Sequence, residues 1–401
     1  MLDLPWEITP ERITISDGRW NAVYAGYPLS GRVALSVGDW QKGTEEMEIS
    51  GRLNVLTHGE AGKGNAVLNI GPGKLSMDHS DMPLSLTGEA KLDDMIFYAV
   101  LPAKLSGPLT TPELAFHPGA LLRSRGRVID SLNIDEIRLP LAGVKVTQQG
   151  VDGRLQAILR AHEQEMGDFI LHLDGQADNF MPDRGRWSWR YWGDGHFTPM
   201  QARWDVKGAG EWRDSAIILN SLSDRVLKAT WDGERLRGQA WWPKQALSVF
   251  QPLIPPDWKM TLREGDMYAQ VAFSAAAGQG FEAGGHGVLK GGSAWMPDNQ
   301  INGVDFVLPF RFSGGSWQLG TRRPVSLRIG EIVNQFTAKN LSADLQGTWP
   351  WSEQDPLELS NVNVDILGGK LSMQQLRMPQ HQPALLRLQN ISSSELISAI
   401  K

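Results

Sequence analysis

The sequence predicts a mainly β chain, folded as an elongated, twisted antiparallel sheet that curls lengthwise into an apolar groove and carries only short helices. Three observations predict it. Apolar and polar residues alternate with period two in segment after segment, which is the side-chain period of a strand. Glycine-bearing reversals separate those segments. The 43 glycines and 16 tryptophans in 401 residues are high counts that suit turns and pleated surfaces.

Taken in order, the alternation starts at Ile13 and Ile15, continues through Val33, Leu35 and Val37, and is strict at Met47, Ile49, Gly51, Leu53 and Val55 against Glu48, Ser50, Arg52 and Asn54. Turn signals stand at Asp17-Gly18, Gly43 and Gly59 to Gly64. Leu68 and Ile70, then Leu84, Leu86, Gly88, Ala90 and Leu92, extend the pattern. Prolines and glycines between Leu101 and Arg127 predict a loop or a change of direction. Strands resume at Leu132 and Ile134, Ile137 to Leu141, and Val144 and Val146, and again at Phe169, Leu171 and Leu173. Residues 154–166 fit a helix as well as a strand, and alternation at Leu155, Ala157 and Leu159 favours the strand.

From Trp187 to Trp242 aromatics concentrate. WWPKQALSVFQPLIPPDW (Trp241 to Trp258) breaks the pattern: Pro243 suits a first helical turn, Ala246, Leu247 and Phe250 follow at helical spacing, and Pro252, Pro255 and Pro256 end it. It reads as a short amphipathic helix. Alternation returns at Met267, Ala269, Val271 and Phe273, and at Phe306, Leu308, Phe310 and Phe312, where Pro309 predicts an edge or a bulge. It is clearest at Val325, Leu327 and Ile329, at Leu341, Ala343 and Leu345, and at Val362, Val364 and Ile366, after which Gly368 and Gly369 predict a tight reversal. The tail, ISSSELISAIK, begins a helical pattern. GPGKLSM (Gly71 to Met77), LKGGSAWM (Leu289 to Met296) and GGKLSM (Gly368 to Met373) are weak internal repeats that glycine turns also explain by chance. The implied layout is an N-terminal β-groove segment over 1–125, a central Trp-rich β segment over 126–240, the helix over 241–258 and a C-terminal β-groove segment over 259–401. Alternation already under way near the start and the unfinished tail suggest a fragment of a longer protein.

Composition excludes several functions. A net charge of -6 with 39 basic residues spread evenly gives no stripe for nucleic acid and no polybasic membrane patch. Without cysteine, neither disulfides nor thiolate metal sites are available. No apolar run approaches the roughly 18 residues of a spanning helix, and the start lacks the pattern of a signal peptide. The eight histidines are scattered, so no metal is expected; His162-Glu163-Gln164-Glu165 opens like a zincin helix, but Met166 stands where the second histidine belongs. Ser398-Ala-Ile-Lys401 matches S-x-x-K with none of its companion motifs, and no G-x-S-x-G or P-loop occurs. Acids such as Glu45, Glu46, Asp93, Asp94, Asp135 and Glu136 fit glycoside chemistry only if two face each other across a cleft; a solvated face is the simpler reading. No cofactor is called for.

What remains is the apolar stripe. A sheet must bury such a face, and a long one does so by sealing a core or by curling into a trough. A trough holds acyl chains at about 0.8 kcal/mol per buried methylene without specific polar contacts. Met47, Ile49, Leu53, Val55, Leu171, Leu173, Val271, Phe273, Phe306, Leu308, Val325, Leu327, Ile329, Leu345, Val362, Val364 and Ile366 are the expected wall. A structural or adhesive scaffold with a closed core, and a carbohydrate-active β-protein using the tryptophans, stay open as alternatives.

The runs NQINGVDFVLPFRF (Asn299 to Phe312), PVSLRIGEIVNQFTAKNLSADLQGTWPW (Pro324 to Trp351), VNVDILGGKLSMQQLRMPQ (Val362 to Gln380) and NISSSELISAI (Asn390 to Ile400) closely resemble the YdbH family of the AsmA-like (TamB-type) group, most specifically from Trp241 onward. The resemblance implies a bridge-like β-groove protein of the Gram-negative envelope, not an enzyme, that carries phospholipids from the inner to the outer membrane. It also implies a periplasmic body, an inner-membrane anchor helix absent from this chain, further strands beyond it, and a small outer-membrane lipoprotein as partner.

Overall fold

The computed structural model describes residues 2–3, 6–8, 12–24, 26–38, 46–60, 62–129, 131–165, 167–221, 227–276 and 279–400. Among them strands dominate, and every strand pairing is antiparallel, so the class is mainly β as the alternation predicts. The chain forms two compact units, residues 1–198 with 202–215, and residues 199–201 with 216–401.

In the first unit Arg12–Tyr24, Tyr27–Gly38, Met47–His58, Gly62–Leu75, Ser80–Leu92 and Met95–Ser106 form a meander, each strand bonded to the one before it. The proline-rich stretch after Leu101 is not a plain loop. Met95–Ser106 is matched on its far side by two strands, Leu121–Ile129 along its first half and Glu113–Phe116 along its second. Only the turns around Gly107–Pro112 and His117–Ala120 interrupt the ladder. Gly150–Glu163 gathers both branches, pairing with Leu132–Pro140 and Lys145–Thr147, and the meander resumes through Gly167–Met181, Arg184–Phe197 and Ala202–Arg213. Residues 154–163 are therefore strand, as their alternation favours.

The second unit repeats the plan through Ala216–Ser221, Leu227–Trp231, Arg235–Ala246, Asp266–Ala276, Gly280–Trp295 and Gln300–Ser313. Gln300–Ser313 is again matched by two strands, Val325–Val333 and Ser316–Leu319, which both pair with Thr337–Trp349. Pro309 falls at the handover between them, where the missing N–H costs no ladder bond, while its carbonyl accepts from Gly320 N. Leu357–Ile366, Gly369–Met378 and Leu386–Gln389 complete the sheet. The expected tail helix spans Ser393–Ile400; Ser392 starts it, its hydroxyl accepting from Glu395 N and its carbonyl from Leu396 N.

Some expectations are corrected. The segment read as an amphipathic helix is strand through Ala246, followed by 3-10 turns at Leu247–Leu253 and Pro256–Trp258. Trp241 and Trp242 pair with Gln270 and Ala269, Pro243 sits in the bulge between Trp242 and Gln245, and the later prolines stop any α-turn from propagating. Asp17-Gly18 is no turn but a bulge within Arg12–Tyr24, and Gly43 lies outside the described residues. Of the three glycine repeats only Gly368-Gly369 reverses the chain. Gly71 and Gly291 have positive φ within bulges of continuous strands, at Ile70/Lys74 and Leu289/Gly292.

Candidate functional site

Directly opposed residues of an antiparallel pair share a face, so the register traces the apolar stripe from strand to strand. In the first unit one row runs Val33, Leu53, Leu68, Leu86, Leu101. The next runs Val55, Ala66, Gly88, Ala99, Leu122, Leu139. A third runs Thr57, Gly64, Ala90, Phe97, Ser124, Ile137, Leu159, Leu171. Through these rows Met47, Ile49, Leu53, Val55, Leu171 and Leu173 stand on one face. In the second unit Met267, Leu289, Phe306, Leu327 and Ala343 form one row, and Val325, Leu345, Leu359 and Leu376 another.

Among the expected wall positions plain parity fails at Asn361. Leu359 and Val362, three apart, share that face because Asn361 is an extra residue in the pairing of Thr337–Trp349 with Leu357–Ile366. It adopts φ 51°, a left-handed conformation that asparagine tolerates, and its amide donates to Asp344 at 3.0 Å. Val362, Val364 and Ile366 thereby join Val271, Phe273, Phe306, Leu308, Val325, Leu327, Ile329 and Leu345.

This face is not a sealed core. Of the expected wall residues only Val325 and Val364 are buried, at 4% and 6% exposure, and the rest are half-buried. Large aromatics on the same face keep more of themselves in solvent, with Phe97 at 40%, Trp317 at 41% and Phe281 at 49%. They cluster in the second unit, where Phe281 meets Phe273 and Phe312 at 6.3 and 6.1 Å and Trp317 meets Phe312 and Phe310 at 4.8 and 5.6 Å between centroids. A closed sandwich core leaves no such surface.

In the first unit part of the face does close. Trp187, Trp189 and Tyr191 are buried together with Leu155, Ala177 and Phe180. Gly175 and Gly210 flank Trp189, and a side chain at Gly175 would collide with the Ser188 carbonyl, so glycine is required there. Burial raises the Tyr191 phenol above its ordinary range. Both indole N–H groups and the Tyr191 hydroxyl lack a protein partner.

Elsewhere in this unit lies an apolar hollow, a cavity of about 480 Å³. Its floor is made of small residues, Gly64, Ala66, Gly88, Ala90 and Ala99, between the larger Val55, Leu86, Phe97, Leu122 and Leu139. Cβ atoms added at Gly64 and Gly88 would come within 3.2 Å of Ala90 Cβ and 3.1 Å of Ala66 Cβ, so this floor is already close-packed and side chains larger than methyl would fill the hollow. No wall residue expected from the sequence except Val55 lines it. The sequence signal was present, since small residues occupy apolar parity on three successive strands.

The opposite face carries the ion pairs, with Leu56, Val100 and Val307 exposed among them. Arg154 holds Asp174 through two bonds, one of 2.8 Å, and lowers its pKa. Lys104–Asp81, Arg123–Glu136 and Arg203–Asp194 pair at 3.2 Å each. A larger hollow of about 890 Å³ involves Lys228, Arg237, Arg311, Arg322 and Glu282, a lining unsuited to hydrocarbon. Of the acids considered for glycoside chemistry, Asp135 meets His162 at 2.8 Å, Glu136 meets Arg123, and Glu46 meets Lys74 at 3.7 Å, while Asp93 sits with positive φ in a turn; Glu45 lies outside the described residues. No group of three or more potential metal ligands occurs among the described residues. No helix there is long and apolar enough to cross a membrane.

Comparison with known proteins points the same way. A family model described as YdbH-like, intermembrane phospholipid transport protein YdbH, matches residues 1–227 and 223–401. The probable phospholipid transport protein YdbH of Escherichia coli (strain K12) is 58% identical over 483 residues, covering 100% of this chain and 55% of that protein. The chain thus spans about half the length of this relative. No solved structure matches it.

Proposed function

The chain belongs to the YdbH-like family, and from that premise we propose that its apolar face carries the acyl chains of phospholipids passing between the two membranes of the cell envelope. The single observation that supports this most is the half-exposed apolar face, which keeps aromatic side chains 40–49% in solvent, while in the first unit the other face carries ion pairs. Hydrocarbon laid on that face gains about 0.8 kcal/mol per methylene it buries, and no step of chemistry is needed. Head groups stay toward water, and the direction of net movement is supplied elsewhere. The walls are Met47, Ile49, Leu53, Val55, Leu171 and Leu173 in the first unit, with Val271, Phe273, Phe306, Leu308, Val325, Leu327, Ile329, Leu345, Val362, Val364 and Ile366 in the second.

The remaining expectations belong to the same reading. The chain works in the periplasm as a carrier rather than an enzyme, within a protein held to the inner membrane by an N-terminal helix and met at the outer membrane by a small lipoprotein. Site-specific photocrosslinking tests the central part. Benzoylphenylalanine at Leu53 or Leu327 should capture phospholipid from vesicles, and at Arg52 or Arg328, on the other face, it should not. Equal capture from both faces, or from neither, would refute the reading.

A further inference from the structure

The apolar hollow contains one buried polar side chain that the fold leaves unanswered. Ser124 stands in the row between Phe97 and Ile137, is only 7% exposed, and lines the cavity. Its Oγ has no hydrogen-bond partner in the protein. The other hydroxyl in that row, on Thr57, is occupied, donating to the Pro28 carbonyl at 2.8 Å. Directly after Ser124 the pairing of Leu121–Ile129 with Leu132–Pro140 shifts by a bulge, with Gly126 at φ 144°. Bulges re-aim the side chains beside them. A buried hydroxyl with no partner is costly, so a ligand that supplies an acceptor at this point recovers stability.

The surroundings specify the acceptor. A phosphate or carboxylate placed among Ala90, Phe97, Ala99 and Leu122 would lose its hydration, and the basic residue of the lining, Arg123, is already paired with Glu136 at 3.2 Å. A neutral carbonyl attached to hydrocarbon fits. The floor row from Val55 to Leu139 crosses six strands, about 24 Å at ~4.8 Å per step, which exceeds the ~15 Å depth of one hydrocarbon leaflet and so accommodates a whole acyl chain. Building on the lipid-carrying reading above, we propose that this hollow is a resting station for a diacyl phospholipid, with the Ser124 hydroxyl turning about its Cα–Cβ bond to donate to an acyl ester carbonyl and the chain lying along the small-residue floor.

Ether-linked lipids test this, because they keep the chains and the head group but lack the carbonyl. Binding of a diacyl phosphatidylethanolamine and of its dialkyl ether analogue should be measured for the whole chain by native mass spectrometry titration. The unaltered protein should prefer the ester lipid by about 3- to 10-fold, the span expected of one neutral hydrogen bond. Ser124→Ala should erase that preference while leaving ether-lipid binding unchanged and the melting temperature no lower than the parent's. Ser124→Thr, which keeps a hydroxyl, should retain it. Equal affinities for the two lipids in the unaltered protein, or a preference that survives Ser124→Ala, would overturn the assignment of Ser124 and leave the carrier reading standing. Failure to bind either lipid would overturn both.

Discussion

Replacing Leu327 with aspartate, and Val325 with aspartate beside it, separates an open wall from a closed core. The two residues lie on the same face of one strand, yet Val325 is 4% exposed and Leu327 is half-buried. Fully burying a leucine is worth about 1.5–3 kcal/mol, so a half-buried one contributes roughly 1–1.5 kcal/mol. Leu327→Asp leaves its carboxylate in reach of water, and at ~2–4 °C per kcal/mol for a unit of this size the melting temperature should fall by about 2–6 °C. Val325→Asp buries a charge with no partner and should cost about 4 kcal/mol or more, a large part of a typical domain's 5–15 kcal/mol. For lipid the ranking reverses, because an acyl chain laid over Leu327→Asp must strip water from a carboxylate, and lipid retention should drop at least about tenfold in a protein that is still folded. Thermal melts by circular dichroism, combined with quantitation of extracted phospholipid, read both quantities. If Leu327→Asp unfolds as Val325→Asp does, the wall is a sealed core and the reasoning fails.

Three further outcomes follow from particular residues. Ala99→Phe should fill the apolar hollow and lower lipid retention severalfold in binding titrations, with a melting temperature within a few degrees of the parent because the ring occupies existing space. Tyr191 has a raised pKa from burial, so below about pH 10 it is neutral in both folded and unfolded states and carries no pH dependence, whereas above that the unfolded chain ionises first and stability falls. Urea melts at pH 8 and pH 10.5 should therefore show an alkaline loss that Tyr191→Phe reduces. Asn361→Val forces a β-branched residue into φ 51° and should cost about 1–2 kcal/mol in urea denaturation, while Asn361→Gly should be close to neutral.

The sequence made the strands legible because period-two alternation is local: Met47 to Val55 and Val325 to Ile329 announce their faces without knowledge of their neighbours. It also put the expected walls on one face within each unit, since register conserves parity across a ladder. Parity breaks at bulges, however, and the left-handed Asn361 that realigns Leu359 with Val362 has no hydrophobic signature. The segment from Trp241 misled for a related reason. Its helical spacing was real, but pairing of Trp241 and Trp242 with the next strand outweighed the local preference of a stretch interrupted by proline. Least legible was the hollow at Ser124. It arises from small residues brought level by three separate pairings, and a search for large apolar side chains passes over the positions where space is left.

Native mass spectrometry of the purified chain after incubation with phospholipid vesicles, followed by organic extraction, tests the central claim most directly. An open apolar face predicts adducts of phospholipid mass that survive transfer, extract as intact lipid and decline in Leu327→Asp and Ala99→Phe. A folded protein that emerges free of lipid under the same conditions would contradict the account and identify the stripe as a scaffold's interior.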